Sequence, residues 1–177
     1  MGGLEINTKT LVDNATRAYQ DADYETAARI FGEAAAAFLT ADDQLQSAEM
    51  KNNQSVAYLQ AGNAQSAFEV VHGTASLFAV AGDFRREGLA FSNEATALQA
   101  LGRPNEAMET YRLAADALSR AGEDQMRATV MNALAGIQLR QGKLFDALLS
   151  MRIGLDGVKN PTLKQRILRR LYRLIVW

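Results

Sequence analysis

The chain has 177 residues, no cysteine, a formal net charge of −1 and 48% hydrophobic residues. This length suits a single domain, and the lack of cysteine excludes a disulfide framework and a thiol nucleophile. The first twenty residues lack an apolar secretory core, and no apolar run is long enough to span a bilayer. We therefore expect a cytoplasmic protein.

A forty-residue pattern fills most of the chain in four consecutive copies. Gly62, Gly102 and Gly142 are forty residues apart. A column of alanines keeps the same spacing: Ala27, Ala67, Ala107 and Ala147. A fixed period of this size is typical of stacked repeats, in which each unit leaves an apolar face that its neighbour covers.

Each repeat is predicted to be an antiparallel pair of helices. Its apolar residues recur at intervals of three and four, which is the spacing of an amphipathic helix. In the third copy, Gly102 can take the left-handed conformation that ends one helix, and Pro104 fits the first turn of the next. The intervening turn is too short for any arrangement but a hairpin.

In chain order, a loose leader over residues 1–7 precedes repeats at about 8–42, 43–82, 83–122 and 123–160. Thr8 is expected to cap the first helix and Asp23 the second. A further helix follows Pro161 and does not continue the repeat. The predicted helices are 8–21, 24–40, 44–61, 64–80, 84–101, 104–120, 124–141, 144–158 and 162–176.

Over residues 8–160 the pattern resembles the tetratricopeptide repeat family. The motif positions of the third copy read Ala95, Leu98, Gly102, Ala107, Tyr111 and Ala114. The family's usual repeat has about thirty-four residues, so this longer unit is similar to the long-helix relatives found in SNAP-type adaptors and bacterial regulators. The resemblance implies an all-α, right-handed α-solenoid of four hairpins with a C-terminal amphipathic capping helix over residues 161–177.

The resemblance also implies a concave groove, lined by the first helix of each repeat, that binds a peptide or helix of a partner. Carboxamides in this groove could hold a peptide main chain, because each offers both donors and an acceptor; equally, they could be polar residues on a wet face. Only Lys9 and Arg140 are basic among these positions, which favours a neutral or partly basic peptide. The predicted groove residues are Lys9, Asp13, Tyr19, Glu49, Asn52, Asn53, Val56, Leu89, Asn93, Thr96, Asn132 and Arg140.

The sequence offers no pattern typical of catalysis. His72 is the only histidine, and without cysteine it cannot form a conventional structural zinc site. The acid pairs Asp42–Asp43 and Glu123–Asp124 lie at repeat junctions, where such residues cap helices. Glycines occur without a phosphate-binding spacing. We expect no catalytic residue, no cofactor and no metal.

The last helix is predicted to be basic and amphipathic. Residues 161–177 contain five basic residues and no acid, which leaves a net charge of −6 on residues 1–160. One interpretation is a cap that covers the last apolar face of the array. The other is a docking helix for a membrane surface, a partner or a second copy of the chain. Its predicted interface residues are Leu168, Arg169, Arg170, Tyr172, Arg173 and Trp177.

Two functions therefore remain open from the sequence. The leading hypothesis is a non-enzymatic scaffold that binds a protein partner in the groove. The alternative is a self-associating or membrane-peripheral module that acts through its last helix, as a homodimer or at a membrane surface. Nucleic acid is not favoured, because the rest of the chain is acidic.

Overall fold

The structure of the chain is a computed structural model that describes the backbone of residues 2–175 and the side chains of residues 8–170. Within this part the chain forms helices and no strand, as the all-α prediction requires. The helices are α1 (Gly2–Gln20), α2 (Tyr24–Thr40), α3 (Gln44–Gln60), α4 (Ala64–Val71), α5 (Thr74–Val80), α6 (Phe84–Ala100), α7 (Pro104–Arg120), α8 (Asp124–Arg140), α9 (Leu144–Leu155) and α10 (Leu163–Ile175).

The helices pack chiefly against their neighbours along the chain. One core cluster fills the space between α6, α7 and α8, with Leu98, Tyr111 and Leu134 among its buried members. A second cluster joins α1, α2 and α3 around Phe31 and Met50. Buried alanines separate the larger side chains in both clusters, and a small side chain lets two helix backbones approach closely. The core is therefore a series of contacts between successive helices.

The same turn recurs every twenty residues, which is half of the forty-residue repeat. At the turn between α3 and α4, the backbone N–H of Asn63 donates to the carbonyl of Tyr58 at 2.8 Å, and that of Gly62 donates to the carbonyl of Leu59 at 3.1 Å. This pair of bonds is a Schellman motif, which satisfies carbonyls that a helix end leaves unpaired. The left-handed residues at its centre have φ between 61° and 79°: Ala22, Asp42, Gly62, Gly82, Gly102, Gly122 and Gly142.

The last residue of each turn also begins the next helix. The side chains of Asp23, Asp43, Asn63 and Asp83 each accept a hydrogen bond from the backbone N–H three residues further on. Such an N-cap satisfies one of the free donors of a helix start. One short segment therefore ends one helix and starts the next, which explains why three residues suffice for each connection.

The prediction of one continuous helix over residues 64–80 is wrong. The chain leaves helical geometry at His72, with φ −56° and ψ 127°, and Gly73 takes a left-handed conformation with φ 83°. The hydroxyl of Thr74 donates to the carbonyl of Val71 at 2.7 Å, so a side chain replaces a backbone donor at the break. The corresponding positions in the first and third repeats are the buried alanines Ala34 and Ala114, which offer no hydroxyl.

Two predicted boundaries also need correction. Helix α1 begins at Gly2, so residues 2–7 are helical and Thr8 is a buried residue within the helix rather than its cap. Once a helix has formed, each further residue adds a hydrogen bond at little cost, and nothing before Thr8 blocks its extension. Helix α9 ends at Leu155, three residues before the predicted end, because Asp156 is extended and Gly157 is left-handed.

Among the described residues, no helix combines the length and the hydrophobicity needed to cross a lipid bilayer.

The turn geometry predicts that Ala22→Gly stabilises the protein. A left-handed conformation costs a residue with a Cβ about 1–2 kcal/mol, whereas the greater freedom of glycine in the unfolded chain offsets part of the gain. We expect the free energy of unfolding in urea to rise by roughly 0.5–1 kcal/mol. The control is Ala121→Gly, at a right-handed position with φ −75°, which should lower it. Equal effects at both sites would contradict the turn geometry.

Candidate functional site

Six of the twelve predicted groove residues line two open clefts between α1 and α3. Phe38 of α2 closes the first cleft, and the buried Phe31 of α2 lies at the second. The first cleft is lined by Thr8, Lys9, Val12, Asp13, Phe38, Gln46, Glu49 and Met50. The second is lined by Thr16, Tyr19, Phe31, Asn53 and Val56.

Both clefts combine an apolar base with polar edges. Phe31 and Met50 are buried in the same core cluster, so they present a fixed apolar surface. Lys9 and Asp13 are exposed at the first cleft, while Asn53 is half-buried at the second. Such a combination suits the alternating apolar and polar groups of a peptide chain.

Glu49, at the edge of the first cleft, is held by a charge network that reaches α6. Its Oε2 accepts a hydrogen bond from Nη1 of Arg86 at 2.9 Å. The same guanidinium donates through Nε to Oδ2 of Asp83 at 2.6 Å and lies 5.1 Å from the centre of the Phe78 ring. The backbone N–H of Arg86, followed by its guanidinium, lowers the pKa of Asp83. The Glu49 carboxylate is thus already engaged within the protein.

Asn52 lies inside the protein and not in a cleft. Its side chain is 7% exposed, and Nδ2 donates to the carbonyl of Ala48 at 2.9 Å and to the hydroxyl of Thr74 at 3.2 Å. Its Oδ1 accepts from Nδ2 of Asn93 at 3.3 Å. These bonds link α3, α5 and α6 at the helix break. Asn52 and Asn93, both predicted to line the groove, therefore bond to each other within the protein.

The remaining predicted groove residues lie on α6 and α8, outside the two clefts. Leu89 is half-buried, whereas Asn132 and Arg140 are exposed. The hydroxyls of Thr96 and Tyr111 are 3.0 Å apart. Burial raises the pKa of Tyr111, while the bond to Thr96 and the charge of Arg140 act in the opposite direction.

His72 lies at the helix break with an exposed ring. Its Nδ1 is 2.7 Å from Oε1 of the buried Glu94, and the ring stacks on Phe68 with centroids 5.1 Å apart. Sequence reasoning missed Glu94 and Thr74. The dipeptide Gly73–Thr74 was the available signal, because it replaces Glu33–Ala34 and Leu113–Ala114 of the neighbouring repeats.

At the C-terminal helix, the structure describes three of the six predicted interface side chains. Leu168 and Arg169 are half-buried and Arg170 is exposed. Nη2 of Arg169 donates to the carbonyls of Leu155 and Val158. Its positive charge stabilises the C-terminal end of α9, which carries a partial negative charge. The side chains of Tyr172 and Arg173, and all of Trp177, lie outside the described residues.

Over residues 8–170, no group of three or more His, Cys, Asp or Glu side chains is arranged to hold a metal ion. No protein-family model matches the chain, and no curated protein matches it.

Asn52→Ala is expected to destabilise the protein by about 1–3 kcal/mol, because it removes three side-chain hydrogen bonds and takes away the acceptor of the half-buried Asn93. Urea unfolding followed by circular dichroism measures the change. The adjacent variant Asn53→Ala is the control, and we expect it to change stability by less than about 0.5 kcal/mol. A stable Asn52→Ala protein would show that the internal network contributes little.

The environment of Asp83 predicts a specific dependence on pH. Because its pKa is lowered in the folded state, the folded protein binds this proton less readily than the unfolded chain does. The resulting stability is present above the ordinary value of 3.8 and is lost as the pH falls below it. Asp83→Asn keeps a capping side chain but cannot ionise. Its free energy of unfolding should therefore fall less between pH 5 and pH 2 than that of the parent, in urea titrations at each pH. Parallel curves would contradict this assignment.

Proposed function

We propose that the chain is a right-handed solenoid of four tetratricopeptide-like hairpins and serves as a non-enzymatic scaffold. Its partner is an extended or helical peptide segment of another protein, which binds along the clefts between α1 and α3. The observation that carries the proposal is the lining of these clefts, where polar edges surround buried aromatic and aliphatic side chains.

The regular turns support the solenoid. A unit of one helix and one Schellman turn repeats every twenty residues, and successive helices pack against each other. Two such units form a hairpin, and identical turns bring equivalent faces of alternate helices to the same side. The first helix of each repeat then contributes to one surface, as in the family that the sequence resembles.

The chemistry of the clefts supports a peptide as the ligand. The half-buried carboxamide of Asn53 can donate to and accept from a peptide main chain, and Tyr19 and Val56 lie beside it in the same cleft. Tyrosine supplies contact area with a polar tip at little entropic cost. In the first cleft, Lys9 is opposed by Asp13, while Glu49 is paired with Arg86. The cleft thus has no excess of positive charge, which favours a neutral or partly basic segment over an acidic tail.

The second cleft provides the test. Peptides selected from a random display library on the immobilised protein would be synthesised, and their affinity measured by fluorescence anisotropy. Asn53→Ala combined with Val56→Asp should weaken the selected peptide by about tenfold or more, since a charge then faces the apolar base of the cleft and a hydrogen-bonding group is lost.

The matched control is Asn105→Ala combined with Leu113→Asp, which changes two exposed residues of α7. It should bind the selected peptide as the parent does. Failure to select any peptide, or equal affinity for the cleft variant and the parent, would refute the proposed binding site.

A further inference from the structure

The outer face of α9 is apolar at two positions where the other repeats are polar. Phe145, Leu149 and Ile153 are spaced by four residues, so they lie on one side of the helix. Their exposed fractions are 83%, 53% and 40%. The residues forty, eighty and one hundred and twenty positions before Phe145 are Asn105, Gln65 and Glu25. Those at the same offsets before Leu149 are Glu109, Glu69 and Arg29. All six are polar and exposed.

This difference from the other repeats is larger than the occasional apolar residue found on any protein surface. Leu144 is exposed next to Phe145, and on α10 Leu163 and Ile167 are 71% and 52% exposed. Of the eleven large hydrophobic residues exposed in the described part of the chain, six lie within residues 144–167. Exposed apolar groups gathered in one region of a protein mark an interaction surface.

The same region concentrates positive charge. Residues 141–177 contain eight basic and two acidic residues, which leaves a net charge of −7 on residues 1–140. On α10, the exposed Lys164 and Arg166 flank the apolar pair Leu163 and Ile167 in the helical arrangement. The sequence continues this spacing with Leu171 and Leu174, whose side chains lie outside the described residues.

We propose that the C-terminal face, defined as the exposed apolar residues of α9 and α10 with the exposed basic residues of 143–170, binds the surface of an anionic lipid bilayer. Charge complementarity selects this partner, because the face is strongly basic while the rest of the chain is acidic. Separate protruding side chains, among them an exposed phenylalanine, can enter the headgroup region individually. Long arginine side chains can place their stems in this region and keep their charges near the phosphates.

One arginine has a different role. Arg169 donates to the carbonyls of Leu155 and Val158 at the end of α9, so it fixes α10 and is not available to lipid. Lys164 and Arg166 are exposed on the same helix. Nε of Arg166 donates to the carbonyl of Pro161 at 3.2 Å, which lies in the segment before α10 and not in α9. Changing these two residues therefore tests the attraction to lipid without removing the hydrogen bonds that attach α10 to α9.

Co-sedimentation of the full chain with vesicles tests the proposal. Vesicles of phosphatidylcholine with one quarter phosphatidylglycerol should bind the chain, and vesicles of phosphatidylcholine alone should bind it far more weakly. Lys164→Gln combined with Arg166→Gln should weaken binding about twenty-five-fold, since each basic residue near such a surface contributes about fivefold. The charge control is Arg17→Gln with Lys51→Gln, which removes two exposed bases from α1 and α3 and should bind like the parent.

The apolar contribution is measured without a change of charge. Phe145→Asn combined with Leu149→Gln should weaken vesicle binding by about tenfold or more, because those side chains no longer enter the bilayer. The control is Leu39→Gln combined with Leu113→Gln, which removes two exposed apolar residues from α2 and α7. It should bind vesicles like the parent. Circular dichroism should show unchanged helicity for all four variants.

Three results would overturn the proposal. The first is the absence of binding to anionic vesicles, and the second is equal binding to neutral ones. The third is a dimer in light scattering that Phe145→Asn with Leu149→Gln converts to a monomer while vesicles remain unbound, since a second copy would then cover the face. None of these results bears on peptide binding between α1 and α3, so the two proposals can fail independently.

Discussion

The structure depends on a backbone constraint, the left-handed residue that ends each helix and places the next N-cap. A right-handed helix cannot continue through that conformation, so the chain reverses at a fixed place. Because the same geometry returns every twenty residues, α2, α3, α6, α7 and α8 have the same length, and successive helices lie side by side. Five of these seven positions are glycine, but Ala22 and Asp42 adopt the same conformation. The surrounding helix packing is therefore strong enough to impose it on residues that do not prefer it.

Small side chains allow the regularly spaced helices to pack closely. Ala27, Ala67, Ala107 and Ala147 are all fully buried, so the column that defines the repeat lies in the packed interior. A larger residue there would force the helices apart. Regular packing is interrupted only locally, at Gly73 and Thr74, where the hydrogen bonds among Asn52, Thr74 and Asn93 replace an uninterrupted helix. This polar network joins three helices and links the second repeat to the third.

The two proposed binding surfaces lie at opposite ends of the chain and differ in chemistry. The clefts between α1 and α3 have apolar bases with a few polar groups, which suit a peptide of defined sequence. The C-terminal face carries protruding apolar side chains and dispersed positive charge, which suit a surface without a defined sequence. Since no residue belongs to both, binding at one surface does not require the other to be vacant. The acidic character of residues 1–140 also keeps that part of the chain away from an anionic bilayer.

Local sequence patterns determined the helices, their pairing and most of their ends. The spacing of apolar residues, the glycines at the turns and the following Asp or Asn caps each act within a few residues, so they can be read without a structure. The twenty-residue period can also be read from the sequence, because five glycines keep this spacing, although Ala22 and Asp42 interrupt it in the first repeat: Gly62, Gly82, Gly102, Gly122 and Gly142. Tertiary structure decided which polar residues remain available to bind a ligand and which are buried. Asn52 and Asn53 are adjacent and chemically identical, yet one is buried against Thr74 and the other lines a cleft. The exposure of the α9 stripe was likewise decided by tertiary packing, because an apolar residue on a helix is core or surface according to whether another helix covers it.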